Sequence, residues 1–552
     1  MSSRNPNESK EKTNRSSIAY PRMLAVLGGV CLLVILCAVS FYFTNGYINI
    51  GEDKSRIFYR VAGILVPIWI VGWIASTRVS ALIAGLDGAD WFVVAYAAVA
   101  IISTLTSSYK ETAVWGQTGW NLGLLVQLLM VGLYLMTRQM TAHGSGAWVR
   151  FTFNAALVIS GVVLVLGTIN RYSIYPIHMM GEAEDFISTI GNINWFCGYW
   201  CVWCGLGCGA YLAAGTVKAR VAYGIYVWIC ALAGISCGSS SAYLAWLAIS
   251  FAALLWALES TDRLARLCVM EIIMLAALPT IRFIGWLRPD RMWYDSSWLY
   301  GVTYENAWLA PFVGGTVLFG LLREFFIRLG SRHGNLKCLR GILIGLTIGI
   351  SASVVLVIML NSMIEGGIWP VRGISIFTWG PRWGNSRGGI WIASAKIFAT
   401  LVPVRMFFGV GPDCFCAYAY SYTELASMIY RYIGDQYLTC AHNELLTMMI
   451  NEGLFGAAAY AGLVVSHLRL GIRADGAEGT PGIMEMASLQ GAGGAPESTE
   501  SEAGHEGGTF PGFYLAVAAY LAVGLVGFMQ ILSTPVFFAV LGALAGKSRG
   551  RF

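Results

Sequence analysis

The feature that most constrains this chain is a succession of apolar runs, each long enough to cross a bilayer as a helix. A hydrocarbon core about 30 Å thick asks for about 20 apolar residues. Such runs lie near 23–44, 59–76, 91–108, 120–137, 151–168, 195–215, 221–237, 240–258, 267–287, 307–326 and 341–361, then near 444–467, 511–530 and 534–547. Lipid offers the backbone no hydrogen-bond partner, so each run must satisfy its own amides as a helix. The expectation is an all-α, polytopic transmembrane helical bundle of about fourteen spans. Composition points the same way, because 57% hydrophobic and 12% charged residues in 552 cannot be spread over soluble surfaces. Twenty Trp and 26 Tyr suit the two headgroup levels of a membrane. The net charge of +6 is modest, and no nucleic-acid partner is expected.

Orientation follows from where Lys and Arg flank the spans. The tail with Arg4, Lys10, Lys12, Arg15 and Arg22, the turn Lys218–Arg220, the turn with Arg263 and Arg266, the loop with Arg328, Arg332, Lys337 and Arg340, and the end with Lys547, Arg549 and Arg551 alternate as one side. That side is expected to be cytoplasmic, with both termini on it. The expected organisation is a tail 1–22, spans over 23–361, a long outward segment 362–443 containing short helices, a span at 444–467, a loop 468–509, and two spans with a tail over 510–552. Residues 474–509, rich in Gly, Ala, Ser and Glu, are expected to be a disordered cytoplasmic loop. The run at 23–44 is long enough to span and has no small-residue cleavage pattern, so no cleavable signal peptide is expected.

Most of the 13 Cys, including Cys31, Cys37, Cys201, Cys204, Cys208 and Cys230, fall in apolar runs and read as small hydrophobes, not as a metal site. Only Cys414, Cys416 and Cys440 sit in the outward segment, where a disulfide is open but unassigned.

Three stretches carry a family resemblance. The string AHNELLTMMINEGLFG places His442-Asn443, nine residues and then Gly453-x-x-Gly456. Upstream, SRGGIWIASAKIFATLVPVRMFFGVGPDCF holds Arg387, Trp391, Gly409 and Gly411, and GNIN at 191–194 opens a span. In this order they resemble the O-antigen ligase and polymerase superfamily, with Ile193 where the family has Pro. The resemblance, with the last three spans, covers roughly residues 150–547. One departure is plain: the arginine the family shows at the start of the span that here begins Cys237-Gly-Ser-Ser-Ser241 is absent.

The resemblance implies a bacterial cytoplasmic-membrane enzyme that moves a glycan from a polyprenyl diphosphate to an acceptor hydroxyl on the outer face, without nucleotide sugar, cofactor or metal. Its partners would be a lipid-linked glycan donor, a glycan, lipid or protein acceptor, and membrane lipids. That reaction needs a group for the hydroxyl proton and cations for the departing diphosphate. His442 can be a neutral base near neutral pH, and Arg387 offers a fork suited to phosphate oxygens. Arg282, Arg372, Arg382, Arg405 and Asn443 are the candidate substrate-binding residues. Plainer roles stand beside these: His442 and Asn443 as helix caps, Arg282 snorkelling to the interface, and Arg387 heading a stretch 390–404 whose Trp391, Phe398 and Leu401 lie on the bilayer. Glu444 and Asp413 read as solvated or paired, with Glu444 also placed to orient the His442 ring. A lipid-linked oligosaccharide flippase and a protein O-oligosaccharyltransferase are the alternative functions.

Overall fold

In the computed structural model, the described residues are 6–76, 85–183, 185–288, 297–329, 337–435, 437–474 and 511–549. The Arg4 and Arg332 positions, the Arg551 end and most of the loop expected to be disordered lie outside them. The chain is an all-α helical membrane protein. Among the described residues, ten helices are long and apolar enough to cross a bilayer, and Ser241–Ala257, Pro511–Gly524 and Thr534–Gly546 are shorter apolar helices. Two-residue strands, Phe186–Ile187 and Gly191–Asn192, pair antiparallel.

The helix Ile193–Leu212 is not among the ten, because its Trp, Tyr, Gly and Asn residues lower its hydropathy. It has no need of a lipid-facing side. Every residue from Phe196 to Leu212 is buried, as expected of a helix apolar all round at the centre of a bundle. Pro511–Gly524 packs along it so closely that a side chain at Gly209 would overlap the backbone of Gly512. Small residues permit this approach, which replaces the missing hydrophobic drive between helices in lipid. Around this centre, Thr534–Arg549 lies along Leu124–His143, and Gly453–Ala474 along Gly88–Thr106.

The span Lys337–Met363 is held mainly at its ends. Arg340 donates to the Leu255 carbonyl and meets Glu259 at 3.2 Å, while buried Asn361 ties the other end to Phe377, Thr378 and Ile368. None of the spanning window between them is buried within the protein.

Residues 364–443 form a small folded layer with its own core. Ile390, Ile397, Leu401, Phe415, Ile429 and Leu438 are buried together, capped by Ala113 of the short helix Lys110–Trp115. Leu401 is thus interior, and Trp391 and Phe398 pack against the same core, so these three side chains face protein. The reason is local: Arg387–Ala399 is followed by Thr423–Ile433, whose apolar face covers it. The layer docks on the connections at one end of the bundle. Ser107 donates to the Val410 carbonyl, the Gln117 and Leu122 amides donate to Asp413, and Arg387 donates to the Val526 carbonyl.

Candidate functional site

The arrangement around His442 is set by a broken helix. Glu444–Asn451 ends at Glu452, and Gly453, at φ +72°, restarts the run as Gly453–Ala474. Breaking a helix frees carbonyls that must find donors. The turn Gly409–Gly411 supplies them: Val410 N donates to Ile450 O at 3.1 Å and Gly411 N to Asn451 O at 2.8 Å. Gly409 and Gly411 have φ of +76° and +124°, so they serve as the turn residues expected of them. A side chain at Gly409 would overlap Asn451 and Glu452, and one at Gly453 would overlap Phe407. The two glycine motifs are therefore the halves of one backbone joint.

Immediately before the helix, Asn443 accepts from Leu446 N at 3.0 Å as its N-cap and donates to the Leu525 carbonyl at 2.9 Å. His442 sits at φ +46°, a left-handed conformation that costs a non-glycine residue about 1–2 kcal/mol. That backbone turns the imidazole onto Phe528, edge-on at 5.1 Å. Phe528 in turn meets Trp120 at 4.7 Å, and Trp120 meets Trp195 at 5.5 Å. A line of aromatic rings thus runs from His442 to the start of the helix Ile193–Leu212. No hydrogen bond to the His442 ring is found among the described residues.

Arg387 approaches from the other side. Its Nε donates to Val526 O at 2.8 Å and its Nη1 to Gly384 O at 3.0 Å, which leaves Nη2 without a protein acceptor among the described residues. Leu525, Val526 and Phe528 thus hold Asn443, Arg387 and His442 in one place, on a connection that sequence reasoning did not single out. Burial first, and then the Arg387 charge, push the His442 pKa down to about 4, so the imidazole is neutral at pH 7. Burial likewise lowers Arg387, opposed by Cys197. Nearby, Asn192 caps Ile193–Leu212, and Asn194 accepts from the Ser239 hydroxyl at 2.9 Å.

Of the other expected cations, two have protein partners and two are exposed. Arg282 bonds Asn306, Arg405 donates to Ser108 at 2.6 Å with its guanidinium 5.9 Å over Tyr418, and Arg372 and Arg382 are exposed. An arginine from elsewhere in the chain reaches the Cys237–Ser241 stretch. Arg171, 1% exposed, donates to Ser236 O at 2.7 Å and Cys237 O at 2.5 Å, at the start of the Cys237–Ser241 stretch. It comes from a different helix end, which no local motif reveals.

Two carboxylates expected to be solvated or paired resolve differently. Asp413 is paired, accepting from Gln117 N at 2.8 Å and Leu122 N at 2.9 Å. Glu444 is buried and accepts from the Tyr460 hydroxyl at 2.6 Å, an orientation into the bundle. Cys414, Cys416 and Cys440 are free, buried thiols. Comparison of the chain with models of protein families finds no match, and comparison with curated proteins finds none.

Proposed function

We propose that this protein transfers a glycan from a polyprenyl diphosphate carrier to an acceptor hydroxyl at the outer face of a bacterial cytoplasmic membrane, as a ligase or polymerase of surface polysaccharide. The observation that carries this reading is the pairing of a neutral, unbonded imidazole with a guanidinium whose Nη2 has no protein acceptor among the described residues, joined through residues 525–528. His442 accepts the hydroxyl proton as the acceptor oxygen attacks the anomeric carbon. The bond from that carbon to the diphosphate oxygen breaks, and Arg387 holds the negative charge that develops there.

Electrostatics links the two steps. With the site empty, Arg387 helps keep His442 a weak base. A bound diphosphate offsets the guanidinium charge, which raises the imidazole's basicity when a base is needed. The rings of Trp120, Trp195 and Phe528 offer apolar faces suited to stack on sugar rings. A shallow apolar groove of about 600 Å³ along Gly345, Gly349 and Val354, lined also by Val371 and Phe377, is the candidate place for the isoprenoid chain.

The test uses the purified protein in liposomes with a polyprenyl diphosphate-linked glycan and candidate acceptors. A new glycosidic bond and released polyprenyl diphosphate are expected. Outward movement of intact lipid-linked glycan with no new bond would instead identify a flippase.

A further inference from the structure

We propose that the helix break holds a binding site for a monovalent cation, a proton or Na⁺, built from Glu452, Gln127 and Asn451. It does not depend on the reading of His442 given above.

The break places an acidic side chain where no basic group among the described residues forms a salt bridge with it. Glu452 is 0% exposed, and its Oε1 accepts from Gln127 Nε2 at 2.7 Å. Its Oε2, together with Gln127 Oε1 and Asn451 Oδ1, is buried without a hydrogen-bond partner, on residues 0%, 5% and 7% exposed. All three are oxygens. Two belong to a bonded pair and the third to the adjoining residue. Gly456 leaves the space that Glu452 fills, since a Cβ there would stand 3.2 Å from Oε2.

The surrounding elements bring neutral and acidic groups. From Gly88–Thr106 come Tyr96, whose hydroxyl is also unpartnered, and Ser103, which donates to Asn451 O at 2.9 Å. Glu444 and the Tyr460 hydroxyl it accepts from lie on the same broken helix, with Tyr520 beyond them on Pro511–Gly524. Cations on adjoining elements have other partners: Arg405, on the helix packed over the break, bonds Ser108, and Lys110 bonds the Thr104 and Leu105 carbonyls. No salt bridge to Glu452 occurs among the described residues.

A bare buried carboxylate is strongly disfavoured. A bound monovalent cation resolves the charge and gives the free oxygens a partner. Discontinuous helices that direct backbone and side-chain oxygens inward are a recurrent way to hold H⁺ or Na⁺ within a membrane.

The experiment treats the full-length protein in liposomes with dicyclohexylcarbodiimide, which couples to protonated carboxyl groups in apolar surroundings, and locates the adduct by peptide mass spectrometry. Buried Glu271 serves as a second carboxyl on the same protein. Labelling of Glu452 that declines as pH rises is expected. Protection by sodium chloride beyond that of choline chloride assigns Na⁺, and a response to pH alone assigns the proton. Glu452 left unlabelled at every pH while Glu271 reacts, or labelled to an extent indifferent to both pH and Na⁺, overturns the proposal. Glu452→Gln, neutral and of the same shape, supplies an independent reading. The difference in thermostability between wild type and E452Q should vary with pH or Na⁺, and a constant difference across both also overturns it.

Discussion

Replacing Gly409 by Ala tests the joint that positions His442. At φ +76° and ψ −170°, a conformation almost reserved for glycine, an L side chain costs about 1–3 kcal/mol. The added methyl also overlaps the Asn451 carbonyl and the Glu452 amide, and both are backbone, so neither can swing aside. The turn must lift from the helix break. Lifting it removes the bonds from Val410 N and Gly411 N, at about 1 kcal/mol each. The sum is about 3–5 kcal/mol, at the upper end for a single substitution. Gly434 provides the control, having φ +68° with open space around its missing Cβ. G434A should therefore lose only the backbone contribution of about 1–3 kcal/mol. The assay is SDS-induced unfolding of the purified protein, followed by Trp fluorescence. Equal losses for G409A and G434A would refute the backbone joint, because only the former has atoms to collide with.

Other perturbations separate the roles of the site residues. His442→Asn keeps a side chain that tolerates the left-handed backbone, so its stability should stay within about 0.5 kcal/mol of wild type while transfer is lost; a parallel fall in stability would mark the residue as structural. Arg387→Lys should reduce kcat/KM at least tenfold, the equivalent of about 1.4 kcal/mol, because an ammonium cannot bond Val526, Gly384 and a phosphate in one plane; near-normal turnover would show that charge alone suffices. The acid limb of kcat/KM should lie near pH 4, since lowering the His442 pKa keeps the base neutral until then. Arg387→Gln removes a positive neighbour, so the residual activity of that variant should lose its acid side at higher pH, towards 6.5; an unchanged limb would uncouple the two groups. Asn443→Ala removes a cap and the bond to Leu525, a loss of about 2 kcal/mol by SDS unfolding.

The spans were legible because an apolar run of bilayer length has few other uses. The one that hydropathy undervalues, Ile193–Leu212, is surrounded by protein, so its Trp, Gly and Cys answer to packing and not to lipid. Gly409, Gly411 and Gly453 announced turns, but not that the turns would interlock, since Val410 and Ile450 are 40 residues apart in sequence (450 − 410). His442 and Arg387 were read from motifs, whereas Phe528 and the Leu525 and Val526 carbonyls carry no signal; backbone acceptors look alike in any sequence. Arg171 was invisible for a related reason. A motif search asks for an arginine at a given position, while the carbonyls of Ser236 and Cys237 ask only that a guanidinium arrive from somewhere. The burial of Glu444 and Glu452 leaves no mark in the sequence, because acidic residues beside a span normally face water and the helix break at Gly453 is a tertiary event.

The most direct measurement is single-turnover glycan transfer by His442→Ala in liposomes, with insertion and thermostability checked on the same sample. Loss of the new glycosidic bond, with donor binding and fold retained, is the expected result. Transfer at the wild-type rate would contradict the assignment of His442 as the base.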